Sequence, residues 1–433
     1  MIKSDTKIIF PLFVFLIGPP AFRSMFDEFH SSSGSMDFWM IIKIISYFYI
    51  LIFFLKLSIS NKYNDLKTNL NNDFIINFLF SIIFLSFIIS SLLGDNTVYS
   101  LFYTTLYFMG FYFYYNFSKL FIIFYSKNLI NLISLIRNIF IGIIIITIII
   151  SMIYPDIVGV IEIGGIKKIT GNKVSDFKFI PMITFIISLY FYLNINKGSS
   201  NAINLLCIAI SLLALYYSQT RSIIYTSIII SFFTLFFYLI NRSKNNLNIK
   251  KKFIFFYIII IFLLLIPNNF ILDVLTRSNT VNITDMSGRG FIWKFIVDLM
   301  KENFFGYGMG SGFKDIFTKI PNFYLGNTDK LLITKGIGNS HNFYLDFLVA
   351  GGWIAFFSII FIHIIIIFRC IKNYIKYKSL SSIILFVLFT STSLVSFFDS
   401  FALIPTSNTF AFYWILIALI STEYRKENIN EKK

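Results

Sequence analysis

Ser287-Gly288-Arg289-Gly290-Phe291-Ile292-Trp293 and Ser340-His341-Asn342-Phe343-Tyr344-Leu345 bracket the second half of the one long polar segment in this chain, and Gly306-Tyr307-Gly308-Met309-Gly310 lies between them. Reading this stretch as an extramembrane loop decides the fold, because nearly everything on either side of it is apolar. A loop that holds an arginine, a glycine run and a histidine between membrane helices is also where chemistry can be done.

Of the 433 residues, 57% are apolar, 20% aromatic and only 13% charged, with a mean hydropathy of +0.76. That composition excludes a water-soluble domain and fits a polytopic membrane protein. The net charge of +16 does not imply a nucleic-acid partner. Its lysines and arginines sit in short connections between apolar runs, where they set orientation. Cys207 lies within one apolar run and Cys370 at the end of another, a pattern of neither a disulfide nor a metal cluster. The first apolar run follows Lys3 and Lys7 as a signal peptide would, but Gly18-Pro19-Pro20 is no cleavage site, so a retained helix is expected.

A spanning helix needs about 20 mostly apolar residues. Segments near that length fall at 8–22, 38–59, 74–93, 97–117, 132–153, 179–195, 202–217, 223–240, 253–273, 343–368, 380–400 and 408–420. With the N-terminus inside, 22 lysines and arginines fall on the inner side against 6 in short outer loops. The bias puts both termini in the cytoplasm. The expectation is an all-α polytopic membrane protein of about 12 transmembrane helices, a single integral membrane domain over 1–433. Two outer connections stand out: 154–178, with four lysines, and 274–342, a long external loop between transmembrane helices 9 and 10. Within that loop Phe291, Phe295, Ile296, Leu299, Met300 and Phe304 recur at helical spacing. This predicts an amphipathic helix along the membrane surface, ended by Gly306.

Arg221 interrupts two apolar runs within Ser218-Gln219-Thr220-Arg221-Ser222, Arg289 precedes the amphipathic helix, and Arg277 lies twelve residues before it. Each alone reads as a snorkelling residue or a head-group contact. Several on one outer face suggest a lipid-linked phosphate ligand, because guanidinium forks stay charged and match phosphate oxygens. Gly306 to Gly310 lacks the lysine and the strand–helix setting of a nucleotide loop, and reads as a tight backbone turn. Among the three histidines, His30 and His363 read as structural. His341 differs because Asn342 and Tyr344 accompany it where the long loop re-enters the membrane, and imidazole suits proton transfer near neutrality.

Thr220-Arg221-Ser222, then Gly288-Arg289-Gly290-Phe291-Ile292-Trp293, then Phe305-Gly306-Tyr307-Gly308-Met309-Gly310, then His341-Asn342-Phe343-Tyr344-Leu345 with Gly351-Gly352, resemble in order and spacing the O-antigen polymerase and O-antigen ligase superfamily, of Wzy type. The resemblance covers roughly 170–365. It implies a glycosyltransferase of the bacterial inner membrane acting at the periplasmic face on an undecaprenyl-diphosphate-linked oligosaccharide, with no metal and no cofactor. Beyond that substrate and membrane lipids, a chain-length regulator is a further partner to expect. His341 would be the general base, with Arg289 and Arg221 holding the diphosphate. Arg277, Asn342, Tyr344, Tyr307, Lys173 and Lys178 complete a candidate substrate-binding set. Asp285 and Asp298 are where a metal-dependent alternative would act.

Within that superfamily the polymerase is the favoured reading and the ligase, which transfers glycan to lipid A-core, the alternative. From another class, a polysaccharide flippase would place ionisable residues mid-membrane. Lys43 and His363 are the ionisable residues this reading counts within spans, with the notable charges clustered in the outer connections.

Overall fold

The computed structural model describes residue 52 and residues 73–94, 97–125, 129–155, 160–163, 166–169, 177–194, 198–218, 220–242, 289–309, 340, 342–377, 380–398 and 408–430. The elements in chain order are α1 Phe74–Leu93, α2 Thr97–Tyr125, α3 Leu129–Ile153, β1 Val160–Ile163, β2 Ile166–Ile169, α4 Ile180–Asn194, α5 Gly198–Ser218, α6 Arg221–Arg242, α7 Arg289–Glu302, α8 Phe343–Tyr377, α9 Leu380–Ser396 and α10 Asn408–Asn430. The protein is an all-α membrane protein, as its composition requires. Among the described residues, Phe74–Leu93, Leu129–Ile153, Asn201–Ser218 and Phe343–Ile375 are long and apolar enough to cross a bilayer, and shorter apolar helices accompany them. The expected spans at 8–22 and 253–273, and all of 38–59 except Ile52, lie outside the described residues. In the 154–178 connection the chain forms an antiparallel hairpin, β1 with β2, that sets Glu162 opposite Lys167.

Apolar runs become helices because lipid offers no partner for backbone N–H and C=O groups. The few hydroxyl residues within them return their protons to the preceding turn. Thr147 bonds Ile143 O at 2.7 Å, Ser231 bonds Ser227 O at 2.6 Å and Thr234 bonds Ile230 O at 2.8 Å.

The chain packs as two compact units, one of residues 1–135, 173–176 and 291–433, the other of 136–172 and 177–290. In the first, α1, α2, α8, α9 and α10 surround an aromatic core in which Trp414 meets Phe80 and Phe111 edge-on, at 5.4 and 4.6 Å between centroids. Asp73, immediately before α1, is fully buried and ties three helices together. Its carboxylate pairs with Arg369 of α8 at 2.7 Å and Lys119 of α2 at 3.4 Å, and accepts the Tyr115 hydroxyl at 2.6 Å. Arg369 also donates to Ser421 of α10 at 3.0 Å. Burial alone would raise the Asp73 carboxyl, but Lys119, Arg369 and Tyr115 outweigh it and hold it well below the usual carboxylate range.

In the second unit α4 is central. It packs against both α5 and α6 and is buried on nearly every face, as an all-round apolar helix must be. A hydroxyl bridge of 3.0 Å joins Ser211 of α5 to Thr184 of α4. Arg137 of α3 is buried in this unit as well. Lys119, Arg137 and Arg369 therefore lie inside helices and not in the connections to which the charge count gives them. Spacing alone gave these three to the inner loops because each stands near the polar end of its apolar run.

The expected span 343–368 is not one straight helix. Gly352 has φ 70° and ψ −168°, which breaks α8 into a first arm of 343–351 and a second of 353–377. The Tyr344 ring lies 5.2 Å from that of His363, nineteen residues on. Such a separation along a straight helix is about 28 Å. The arms therefore fold back on each other as a tight hairpin. The first arm, roughly 13 Å long, is too short to cross a bilayer, whereas the second, roughly 37 Å, is long enough.

Candidate functional site

The start of the first arm of α8 is fixed by side chains on both sides of His341. Asn342 is the helix cap: its Oδ1 accepts the backbone N–H of Tyr344 at 3.0 Å and of Leu345 at 3.2 Å. These are two of the donors a helix start leaves unpaired. Asp346, one turn in and fully buried, accepts the Ser340 N–H at 2.9 Å and lies within hydrogen-bonding reach of the Ser340 hydroxyl. Its carboxylate suits the positive end of the helix. The Ser340 hydroxyl accepts the Asn342 N–H at 3.1 Å. Trp293 of α7 donates its indole N–H to Ser340 O at 3.0 Å. Residues 340 and 342 are thus pinned by a buried carboxylate, a cap and an indole.

The same helix α7 is strapped at its other end. Trp353, first residue of the second arm, donates its indole N–H to Met300 O at 3.1 Å and its backbone N–H to Phe304 O at 3.2 Å. The helix runs from Arg289 to Glu302, two residues earlier than its apolar spacing suggested. Its buried stripe is Ile292, Phe295, Ile296 and Met300, while Phe304 is exposed. That face meets protein.

Gly306 to Met309 forms the backbone turn that its composition implies. Gly306 and Gly308 both have φ of 86°, a region that residues with a Cβ adopt at a cost. The turn interlocks with the α8 hairpin tip. Tyr307 N–H donates to Val349 O at 2.8 Å and Gly308 N–H to Ser90 Oγ of α1 at 2.5 Å, while the Ser86 hydroxyl bonds Gly351 O. A Cβ on Gly306 would lie 2.6 Å from Gly352 N and 2.7 Å from Val349 O, and one on Gly352 would run into Phe304 O. Glycine is required here by backbone-on-backbone contact.

Of the candidate residues, Asn342 is buried with its side-chain oxygen engaged as the cap. Tyr344 is buried with its ring against His363 at 5.2 Å and Phe397 at 4.8 Å. His363 itself is structural, as expected: Tyr413 Oη lies 3.0 Å from its Nε2, Ile359 O lies 2.9 Å from its Nδ1, and Phe343, Tyr344 and Phe389 surround it. Tyr307 is half-buried in the glycine turn, and burial raises its hydroxyl pKa. Arg221 is the first residue of α6 and Arg289 the first of α7, four residues ahead of Trp293. Lys178 stands half-buried in the turn before α4. Asp298 pairs with Lys301 at 2.7 Å on the exposed side of α7. His341, Arg277, Lys173 and Asp285 lie outside the described residues.

Asp346 and Trp293, as the residues that hold the segment around His341, were not singled out from sequence. The available signal was an asparagine opening an apolar run with an acid in its first turn, which is a helix start.

Residues 206–360 match a family model described as O-antigen ligase. No curated protein matches the chain. The matched region contains Arg221, Arg277, Arg289, Tyr307, His341, Asn342 and Tyr344, together with α7, the glycine turn and the hairpin tip of α8; Lys173 and Lys178 precede it.

Proposed function

For a membrane protein whose residues 206–360 match a family model described as O-antigen ligase, we propose membership of the O-antigen polymerase and ligase superfamily and the activity of a surface-polysaccharide polymerase of the inner membrane. Its donor and acceptor are both undecaprenyl-diphosphate-linked oligosaccharides at the periplasmic face. The acceptor hydroxyl oxygen attacks the anomeric carbon of the donor sugar, the bond from that carbon to the diphosphate oxygen breaks, and the hydroxyl proton passes to His341. The diphosphate leaves as an anion held by Arg289 and Arg221, with Arg277, Lys173 and Lys178 adding positive charge around it. Tyr307, Asn342 and Tyr344 border the sugar or the base. The leaving group is already activated, so positioning, a base and charge stabilisation suffice without a metal.

The observation that carries this reading is the family match itself, which includes Arg221, Arg289 and His341 in one region. The anchoring of Ser340 and Asn342 supports it, since a base must be held still to act. The family description favours one second reading, a ligase that moves finished glycan onto lipid A-core. A strain lacking this chain decides between them. Lipid A-core bearing a single repeat unit is expected of a lost polymerase. Long polymer accumulating unattached to core would establish the ligase and overturn the polymerase.

A further inference from the structure

Arg137 is a buried charge that the proposed reaction does not use. It lies on α3 and is 5% exposed. Its guanidinium donates to Asn138 Oδ1 from Nε at 3.1 Å and from Nη2 at 2.9 Å, and to Asn204 Oδ1 of α5 from Nη1. Its carbon Cζ stands 5.2 Å from the ring centroid of Phe191 on α4. Every one of these partners is neutral, and among the described residues no carboxylate pairs with it. The adjoining stretches 126–134 and 195–203 hold Lys127 and Lys197 and no acid. A cation taken out of water without an anion is costly, and a guanidinium has five N–H donors of which these bonds use three.

A second observation points the same way. One turn before Asn204 on α5, Asn201 Oδ1 is buried and has no hydrogen-bond partner among the described residues. The group is therefore short of both an anionic acceptor and a hydroxyl or N–H donor. It is also reachable, because Asn138 is exposed on the outside of α3. Ile139 then begins the apolar run through Ile153, so Arg137 and Asn138 stand where the polar start of the helix meets its lipid-facing length. That is the depth at which basic clefts between membrane helices meet phosphate head groups.

We propose that Arg137, Asn138, Asn201 and Asn204 form a binding site for the head group of an anionic, hydroxyl-bearing phospholipid. The phosphodiester oxygens accept the remaining guanidinium N–H groups, and a head-group hydroxyl donates to Asn201 Oδ1. The site is independent of the polymerase reading and stands or falls without it.

The test uses the full-length protein in detergent with equimolar phosphatidylglycerol and phosphatidylcholine, and counts retained lipids by native mass spectrometry. Wild type should keep phosphatidylglycerol selectively. Arg137→Gln should lower that selectivity by roughly five- to tenfold, and Asn201→Ala by about threefold. Because Asn201 Oδ1 has no hydrogen-bond partner among the described residues, the second variant is the milder change and remains decisive if the first does not fold. Equal retention of both lipids by wild type, or unchanged selectivity in Asn201→Ala, overturns the site. Displacement of phosphatidylglycerol by inorganic phosphate at equal concentration would show that only a free anion is recognised, and overturns its assignment to a lipid.

Discussion

At the scale of single residues, the proposed reaction makes two separable demands. A base must be neutral to accept a proton, so if His341 serves, turnover rises with pH through a single ionisation as the imidazole becomes neutral. His341→Ala should retain lipid-linked substrate and lose about 10²- to 10⁴-fold in turnover, with the pH dependence gone. A rate assay across pH on reconstituted protein checks this, and a His341→Gln protein at full speed would remove the histidine from the chemistry. The diphosphate clamp is different, since it needs a planar fork of donors. Arg289→Lys and Arg221→Lys keep the charge but lose bidentate contact, and should recover little of the chain extension lost in the alanine variants. Normal polymer length in either lysine variant, at equal membrane abundance, would make that arginine a head-group anchor.

At the scale of elements, the glycine turn and the broken helix α8 are one assembly. Backbone strain at φ 70° makes any side chain at Gly352 costly, about 1–3 kcal/mol. The contact of a Cβ with Phe304 O and the Phe305 backbone adds to it. Gly352→Ala should therefore lower the melting temperature of the purified protein and loosen α7 from α8, read as faster proteolysis between them. The helix cap is a milder case. Asn342→Ala removes two accepted N–H bonds and should cost about 1 kcal/mol, whereas Asn342→Ser or Asn342→Asp should restore most of it. A stability loss without loss of sugar binding would assign Asn342 to holding the backbone beside His341.

At the scale of the whole molecule, Asp73 is a link among α1, α2 and α8, with α10 reached through Arg369. Its carboxyl lies below its ordinary value in the folded protein. Its contribution is therefore fully present above the unfolded carboxylate pKa and is lost as pH falls through that range. Asp73→Asn should destabilise the protein at neutral pH by about 3–5 kcal/mol, because the buried Lys119 and the partly buried Arg369 lose the carboxylate that faces them. It should also flatten the acid limb of the stability curve; thermal unfolding from pH 7 down to pH 3 measures both. Orientation is tested separately with cysteines at Asn172, Asn327 and Asn246. A membrane-impermeant reagent applied from the periplasmic side should label the first two and spare the third, and the opposite pattern would invert the topology.

The sequence by itself determined the class of molecule. Long runs of Ile, Phe and Leu have no stable state in water, and the helix is the local conformation that satisfies their backbone in lipid. It also marked the region in which the proposed site lies, because Arg221, Arg289, the glycine run and His341 are polar features that an apolar scaffold does not otherwise need. Tertiary structure decided how that region is held. That the first arm of α8 turns back at Gly352 depends on Phe304 and Gly306 occupying the space a side chain would fill. That Asp73, Lys119 and Arg369 are a buried link instead of loop charges depends on helices 46 to 296 residues apart meeting at one level. Periodicity reports which residues share a face of one helix. It carries no information about which distant element will cover that face, and both the pinned segment around His341 and the buried guanidinium of Arg137 arise from such long-range coverage.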